Sequence, residues 1–254
     1  MVQTSAIRRP RAYLSEFNIT QLHLSNPWIV AFWSFAFPGC GNLLQGRKLK
    51  GMFLIIWELV INTNAKINLS IMYSLLGQFD KAREVVDTRW FLLYVALYVY
   101  SMWDSYRGTV DLNKLYILAD REDAPVLPFT IKTLDLNYLD KRNPWVALAF
   151  TLLMPGLGHL YIHRVIIGIF MIIWTIVVGY FSNCFPAIHY TMTGDFLQAK
   201  TALDMQWFMY IPSIYGFVLH DSYASAVEYN KLFEKEQSRF FRDHFQNTSF
   251  KMPL

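Results

Sequence analysis

Two aspartates occupy equivalent positions in the chain and are the acids best placed to do chemistry. Asp104 and Asp221 each begin the tripeptide Asp-Ser-Tyr, and each ends an aromatic-rich apolar run. An acid at the edge of an apolar segment is costly to bury, which makes it a functional candidate. The structural alternative pairs Asp104 with Arg47 and Asp221 with Arg164, so that each pair fixes a short loop against a helix end. We favour this alternative and expect both pairs to lie close together.

A second group of polar residues could form a site inside the apolar segments. His159 and His163 are four residues apart, so on a helix they would share one face and could hold a metal ion. The first half of the chain has Asn42 and Gly46 at those positions, and no Cys or carboxylate lies nearby in sequence. We therefore expect no metal and no cofactor, and interpret both histidines as hydrogen-bonding groups.

Glu58 is an isolated acid inside an apolar segment of the first half, and Thr175 replaces it in the second half. It would face a polar bundle interior, or else mark a frayed or shallow helix. Together with Asn42, His159 and His163 it makes up the candidate polar site.

The motif Pro-Gly-x-Gly interrupts one apolar segment in each half. It contains Pro38, Gly39 and Gly41 in the first half, and Pro155, Gly156 and Gly158 in the second. Broken helices of transporters use such an opening to bind an ion or a polar head group. A tight turn with close helix packing also requires glycine. We favour the tight turn.

The motifs recur because the chain contains an internal repeat. A shift of about 117 residues aligns Asn26–Tyr116 with Asn143–Phe233 without a gap, and about 30 of the 91 aligned positions are identical. We divide the chain into five parts: a polar basic tail 1–25, a first membrane repeat 26–116, a polar linker 117–142, a second membrane repeat 143–233 and a charged tail 234–254.

Each repeat has three apolar elements and few charges. Hydrophobic residues make up 54% of the chain and charged residues 17%, below the roughly 25% of a typical soluble domain. We predict an all-α integral membrane protein in which each unit has a re-entrant or kinked first element and two spanning helices. A fully spanning first element would give six crossings and a re-entrant one four. The distribution of Lys and Arg favours four, with both termini and the linker in the cytoplasm.

The residues around Pro155 resemble a bacterial membrane-protein pattern, Pro-Gly-x-Gly-[His/Gln]-x-Tyr-x-Gly-[Arg/Gln], and are distantly similar to the small TM-two membrane domains. The second unit matches through Pro155, Gly156, Gly158, His159, Tyr161 and Arg164, and has His163 in place of the glycine. The first unit keeps Pro38, Gly39, Gly41, Gly46 and Arg47, and has Asn42 and Leu44 in place of the His and Tyr. The resemblance implies membrane residence in a bacterium and no particular activity.

No nucleophile elbow, zinc-protease helix, phosphate-binding glycine loop or dinucleotide fingerprint occurs in the sequence, so we expect no enzyme. We predict a non-enzymatic binding or assembly module of the cell membrane. Its partners would be the lipid bilayer and other proteins or a second copy, and not nucleic acid. Two alternatives remain: a small-solute or ion channel or transporter built from the two repeats, and an intramembrane enzyme that acts on lipid.

Overall fold

The computed structural model describes residues 9–124 and 126–245. The ends of the two predicted tails, 1–8 and 246–254, and Pro125 of the predicted linker lie outside the described residues. Within the described ranges the chain is mostly helical, and its helices recur with the 117-residue shift of the sequence repeat. The first unit contains α1 (Pro27–Ala36), α2 (Cys40–Leu44), α3 (Lys48–Ala65), α4 (Ile67–Leu75), α5 (Phe79–Val85) and α6 (Thr88–Glu122). The second contains α7 (Pro144–Leu153), α8 (Leu157–Tyr161), α9 (Val165–Phe181), α10 (Cys184–Met192), α11 (Phe196–Ala202), α12 (Met205–Phe208) and α13 (Tyr210–His244).

The sequence starts both units in the same way. Asn26 and Asn143 are the N-caps of α1 and α7, and the side-chain Oδ1 of each accepts a hydrogen bond from the backbone N–H two residues later, at 2.9 Å. The proline that follows each asparagine stands at the first helical position, where its missing N–H costs nothing.

No single helix of the described residues is long and apolar enough to cross a bilayer; one helix pair, α9 with α10, passes such a test together but is bent by 68°. The predictions of an integral membrane fold with two spanning helices per unit, and of a multi-pass transmembrane protein, are therefore wrong.

The physical reasons lie in how the apolar segments are interrupted. A full span needs about 20 apolar residues, but α1 and α7 end after 10 residues at the Pro-Gly-x-Gly motif. The helix α3 is long enough, but it carries Lys48, Lys50 and Glu58. The 35-residue helices α6 and α13 are apolar only in their first parts, because charged residues follow Asp104 and Asp221.

The fold is also not purely helical, because each unit is preceded by a two-stranded antiparallel hairpin. The strands β1 (Ala12–Ser15) and β2 (Asn18–Gln21) form the first hairpin, and β3 (Phe129–Ile131) and β4 (Leu136–Tyr138) form the second. Ala12 and Phe129 are 117 residues apart, so the hairpins belong to the repeat. The predicted tail and linker thus contain ordered parts of the two units.

The core joins the two units. Its main cluster combines Phe37, Leu43 and Ile55 of the first unit with Trp174 and Phe217 of the second. A second cluster contains Leu14 and Ile19 of the first hairpin together with Ile162, Tyr229 and Leu232 of the second unit, and the Tyr229 hydroxyl donates to the carbonyl oxygen of Ile19 at 2.7 Å. The first hairpin therefore covers helices of the second unit.

Ion pairs tie the polar ends of the two long helices together. Arg11, which is 4% exposed, binds Asp120 of α6 at 3.2 Å and Glu236 of α13 at 2.9 Å. Lys235 also contacts Asp120, and Arg239 contacts Asp123. The described part of the predicted charged tail is thus a continuation of α13 that packs on the end of α6.

Candidate functional site

The Pro-Gly-x-Gly motif forms the turn between the first two helices of each unit. Gly39 and Gly156 have φ of +97° and +104°, a region that side chains other than glycine rarely adopt. A Cβ on either glycine would lie 2.5 Å from a backbone oxygen, that of Gly51 or Gly168 respectively. The first glycine of the motif is therefore needed both for the turn and for its contact with the following helix.

The second glycine lets the turn approach the first helix of its unit. A Cβ on Gly41 would lie 2.6 Å from the carbonyl oxygen of Val30, and one on Gly158 would overlap the equivalent oxygen of Ala147. Hydroxyl pairs then join the first helix to the long one: Ser34 with Ser105 at 2.5 Å, and Thr151 with Ser222 at 3.0 Å. Both features agree with the expected tight turn.

Asp221 is the centre of a fully buried charged cluster in the second unit. Its Oδ1 accepts a hydrogen bond from Arg164 Nη1 at 2.6 Å and one from Ser225 Oγ at 3.0 Å. Its Oδ2 lies 3.0 Å from Nε2 of His159. Asp221 is 1% exposed and His159 is 0% exposed. The cluster connects the turn, the start of α9 and the middle of α13.

The charges of this cluster follow from burial and pairing. Burial by itself would raise the pKa of Asp221, but Arg164 and then His159 outweigh that effect and hold the pKa well below its usual range. Burial lowers the pKa of His159, although Asp221 acts in the opposite direction; because an ionised carboxylate can only accept, Nε2–H of His159 is the donor to Oδ2. Nδ1 of His159 is buried and has no hydrogen-bond partner among the described residues.

Asp104 is the centre of the equivalent cluster in the first unit. Its Oδ2 accepts from Asn42 Nδ2 at 2.8 Å, and its Oδ1 accepts from Lys50 Nζ at 2.7 Å. Arg47 Nη1 lies farther away, 3.9 Å from Oδ2. The side chain of Asp104 is 13% exposed, and those of Lys50 and Arg47 are 34% and 39% exposed.

The structure brings the predicted ion pairs together and adds residues that sequence reasoning missed. Arg164 contacts Asp221 directly, and Arg47 lies within ion-pair distance of Asp104, as expected. Lys50 was not foreseen as the nearer partner of Asp104. The role of Asn42 and His159 was also missed: each donates a side-chain N–H to Oδ2 of its aspartate. The signal was their equivalence under the 117-residue shift.

His163 does not share a face with His159. The helix α8 ends at Tyr161, and His163 adopts a positive φ of 58°. Its Nε2 lies 2.8 Å from the carbonyl oxygen of Glu16 and 3.7 Å from Asp135 Oδ2. His163 thus contacts the tips of the two hairpins, and the two histidines do not converge on one ion.

Glu58 lies in a third place, a polar seam between the units. Its Oε1 accepts from Asn62 Nδ2 at 2.9 Å, and its Oε2 is buried without a partner among the described residues. Asn62 continues the seam to Asn68 and to Gln206 of the second unit. Burial raises the pKa of Glu58 to about 7, although Asn62 and Tyr94 act in the opposite direction.

The equivalent place in the second unit contains a cavity of about 410 Å³. Thr175, Gly179 and Ile211 line it, and they replace the larger or more polar Glu58, Asn62 and Tyr94 of the first unit. Its remaining walls are mostly apolar and include Trp174, Val178, Phe185, Ile188 and Ile214.

The clusters do not have the arrangement of a nucleophilic enzyme. In a catalytic triad the histidine stands between the acid and the nucleophile. Here Asp221 binds His159 and Ser225 through different oxygens, so Ser225 is not activated by His159. Burial raises the pKa of the Cys40 thiol well above its usual range, which makes it a poor nucleophile. Among the described residues, no three His, Cys, Asp or Glu side chains are grouped to hold a metal ion.

Comparisons of the chain with protein-family models, with curated proteins and with solved structures find no match.

Proposed function

We propose that the protein is a non-enzymatic binding or assembly module that places an apolar belt in contact with lipid. The belt consists of the exposed apolar side chains of α1, α3, the first part of α6, α7 and α9. Its members include Trp28, Phe32, Phe35, Phe53, Ile56, Trp57, Leu92, Leu93, Val99, Trp103, Trp145, Phe150, Leu153, Ile169, Ile173 and Ile176. The proposal requires contact with hydrocarbon and no helix that crosses a bilayer.

The observation that carries this proposal is the number of large apolar side chains exposed on these helices: the sixteen named above are each at least 40% exposed. A monomeric protein in water rarely exposes a continuous apolar patch larger than a few hundred Å². Here the helices α7 and α9 carry no Lys, Arg, Asp or Glu at all, and Ile173 and Phe150 are 55% and 40% exposed. Because the belt occurs on both units, a protein partner would have to cover each of them. A lipid surface covers both at once.

The positions of two tryptophans support a boundary between lipid and water at the starts of α1 and α7. Trp28 and Trp145 are 72% and 66% exposed at the starts of α1 and α7. They pack on Tyr106 and Tyr223, with ring centroids 4.9 and 5.3 Å apart, next to the two aspartate clusters. Tryptophan and tyrosine are enriched where hydrocarbon meets water. The clusters would then lie at the polar side of that boundary.

The first helices set the position of the turns within the apolar layer. Ten residues of α-helix extend about 15 Å, roughly half of the 30 Å hydrocarbon core. The Pro-Gly-x-Gly turns would then lie inside this layer, and the hairpins and the polar ends of the long helices would lie outside it.

The test is flotation of the full chain with neutral phosphatidylcholine vesicles. Ile56 and Ile173 are equivalent belt residues, 50% and 55% exposed. An aspartate in the centre of a lipid-facing helix costs about 2.5–3.5 kcal/mol. We therefore expect the double variant Ile56→Asp/Ile173→Asp to lose vesicle binding by more than tenfold.

The matched control is Ile131→Asp, because Ile131 is 69% exposed but lies on the second hairpin. This variant should bind vesicles within about twofold of the unchanged protein. Equal losses in the two variants, or no loss in the double variant, would refute lipid contact through the belt.

A further inference from the structure

We propose that a cavity at the junction of the two units binds a phosphate group. The cavity has a volume of about 60 Å³ and lies between the first hairpin, the start of α3 and the middle of α13. Its charged walls are the cations Lys48 and Arg164 and the carboxylates Asp221 and Glu228, and His23 and Ser225 add polar groups. This site goes beyond the lipid contact proposed above and does not depend on it.

Charge pairing leaves one cation of the cavity without an acid. Asp221 is neutralised by Arg164, and Glu228 binds Lys231 at 2.7 Å. Lys48 has no carboxylate within ion-pair distance among the described residues. Two cations and two carboxylates line the cavity; because Lys231, from outside it, neutralises Glu228, the positive charge of Lys48 is left for an anion to balance.

The surroundings of Lys48 are also unfavourable for a lone cation. Burial, and then the guanidinium of Arg164, lower the pKa of Lys48 to about 8. A lysine next to a second cation and partly removed from water is stabilised by an anion that contacts both groups. Such pairs of cations are common where proteins bind phosphate.

Further hydrogen-bond donors face the same space. Among the described residues, Arg164 contacts Asp221 and Ser225 through Nη1 alone. Its Nε and Nη2 therefore remain able to donate to a bound ligand. An arginine fork and a lysine charge together match the oxygens of one phosphate group.

The size of the cavity restricts the ligand. At roughly 10–15 Å³ per water in the same measure, about 60 Å³ holds four to six waters, comparable to a phosphate group. An adjoining cavity of about 230 Å³ shares Gln21, His23 and Glu228 and adds Arg11, Lys231 and Lys235. It offers room for a group attached to the phosphate.

The second unit cannot form the same site, because Val165 stands where the first unit has Lys48. We therefore expect one phosphate site per chain.

The first experiment is calorimetric titration of the full chain with inorganic phosphate at constant ionic strength. We expect saturable binding of one phosphate, at least tenfold weaker in Lys48→Met and restored in Lys48→Arg. Lys132→Met serves as the control, because Lys132 is exposed and binds Glu16 outside the cavity. Lys48→Met should fold, since it removes a partly buried charge that has no carboxylate partner. Its far-ultraviolet circular dichroism and melting temperature check this.

The second arm distinguishes free phosphate from a lipid head group. Vesicles of phosphatidylcholine with or without phosphatidic acid are compared for the unchanged protein and for Lys48→Met. A gain with phosphatidic acid that depends on Lys48, without binding of inorganic phosphate, assigns the site to a head group. If neither phosphate nor phosphatidic acid binds in a manner that depends on Lys48, the proposal is wrong. The belt variants test binding to neutral vesicles, whereas Lys48→Met tests binding of a phosphate group. Failure of one proposal can therefore be distinguished from failure of the other.

Discussion

The aspartate clusters of the two units perform the same structural task with different side chains. In both, Oδ2 of the aspartate accepts from the turn, from Asn42 in the first unit and from His159 in the second. Oδ1 accepts from a cation, Lys50 or Arg164. The difference is burial: the Asp104 side chain is 13% exposed and that of Asp221 is 1% exposed. The two units therefore keep the same arrangement of hydrogen-bond donors around the aspartate, but differ in the type of side chain that donates and in how far the aspartate is exposed to water.

The largest expected effect is a difference between the two aspartate variants in how much unfolding free energy each loses. Asp221→Asn leaves the buried Arg164 without its anion, and breaking a buried pair costs about 3–5 kcal/mol. Asp104→Asn should cost about 1 kcal/mol or less, because Lys50 and Arg47 can turn toward water. Chemical denaturation of each variant measures the two values.

Equal losses in the two aspartate variants would contradict the role assigned to burial.

A further variant tests the comparison by exchanging the side chains that donate to the aspartates. His159→Asn places the donor of the first unit in the second, and should be better tolerated than His159→Leu, which leaves Oδ2 of Asp221 without that hydrogen bond.

The units also differ around Glu58, and this difference is testable by pH. The unfolded chain loses the Glu58 proton near pH 4.5, whereas the folded chain retains it to about pH 7. Between these values the folded state binds more protons, so the free energy of unfolding falls as pH rises. At pH 8 this loss is complete, and it amounts to at most about 3 kcal/mol.

Glu58→Gln removes this titration. The variant should therefore gain stability over the unchanged protein between pH 5 and pH 8, by up to that amount. Melting temperatures of both proteins at the two pH values measure the difference. Thr175→Gln, at the equivalent position of the second unit, retains Glu58, so its difference in melting temperature from the unchanged protein should stay the same across this pH range. A constant difference between Glu58→Gln and the unchanged protein across this pH range would contradict burial of the acid.

The repeat, the tight turns and the partners of the aspartates could be predicted from sequence because each depends on a few residues at fixed spacing. Gly39 and Gly156 are required by backbone geometry, and a charge near each apolar segment needs a nearby counter-charge. Lys50 was missed because it has no equivalent in the second unit, where Ile167 replaces it. The distance between Lys50 and Asp104 depends on how α3 packs against α6.

The hairpins were missed because their strands have only three or four residues and share little identity. Leu22 and Leu139, just after the strands, are identical under the 117-residue shift, but no residue within the strands is. Their burial also differs: Leu14 is 5% exposed against the second unit, whereas the equivalent Ile131 is 69% exposed. Such differences arise from packing between units, which a repeat in sequence cannot reveal.

The prediction of spanning helices is wrong because the hydrophobic content of a segment does not determine whether its helix continues without a break. The segment Val165–Phe181 contains no charge, yet the chain bends after it, where Asn183 adopts a positive φ of 53°. Short apolar helices with exposed side chains indicate apolar contact, but they do not specify a crossing.

The most direct test of the account is to map which residues touch hydrocarbon. The full chain is bound to vesicles that contain a lipid with a photoactivatable diazirine in its acyl chain, and the labelled residues are identified by mass spectrometry. We expect labels on the belt, including Phe53, Ile56 and Ile173, and none on Ile131 or Leu134 of the second hairpin. Labels concentrated on the hairpin, or spread equally over belt and hairpin, would contradict the proposal that the belt contacts lipid.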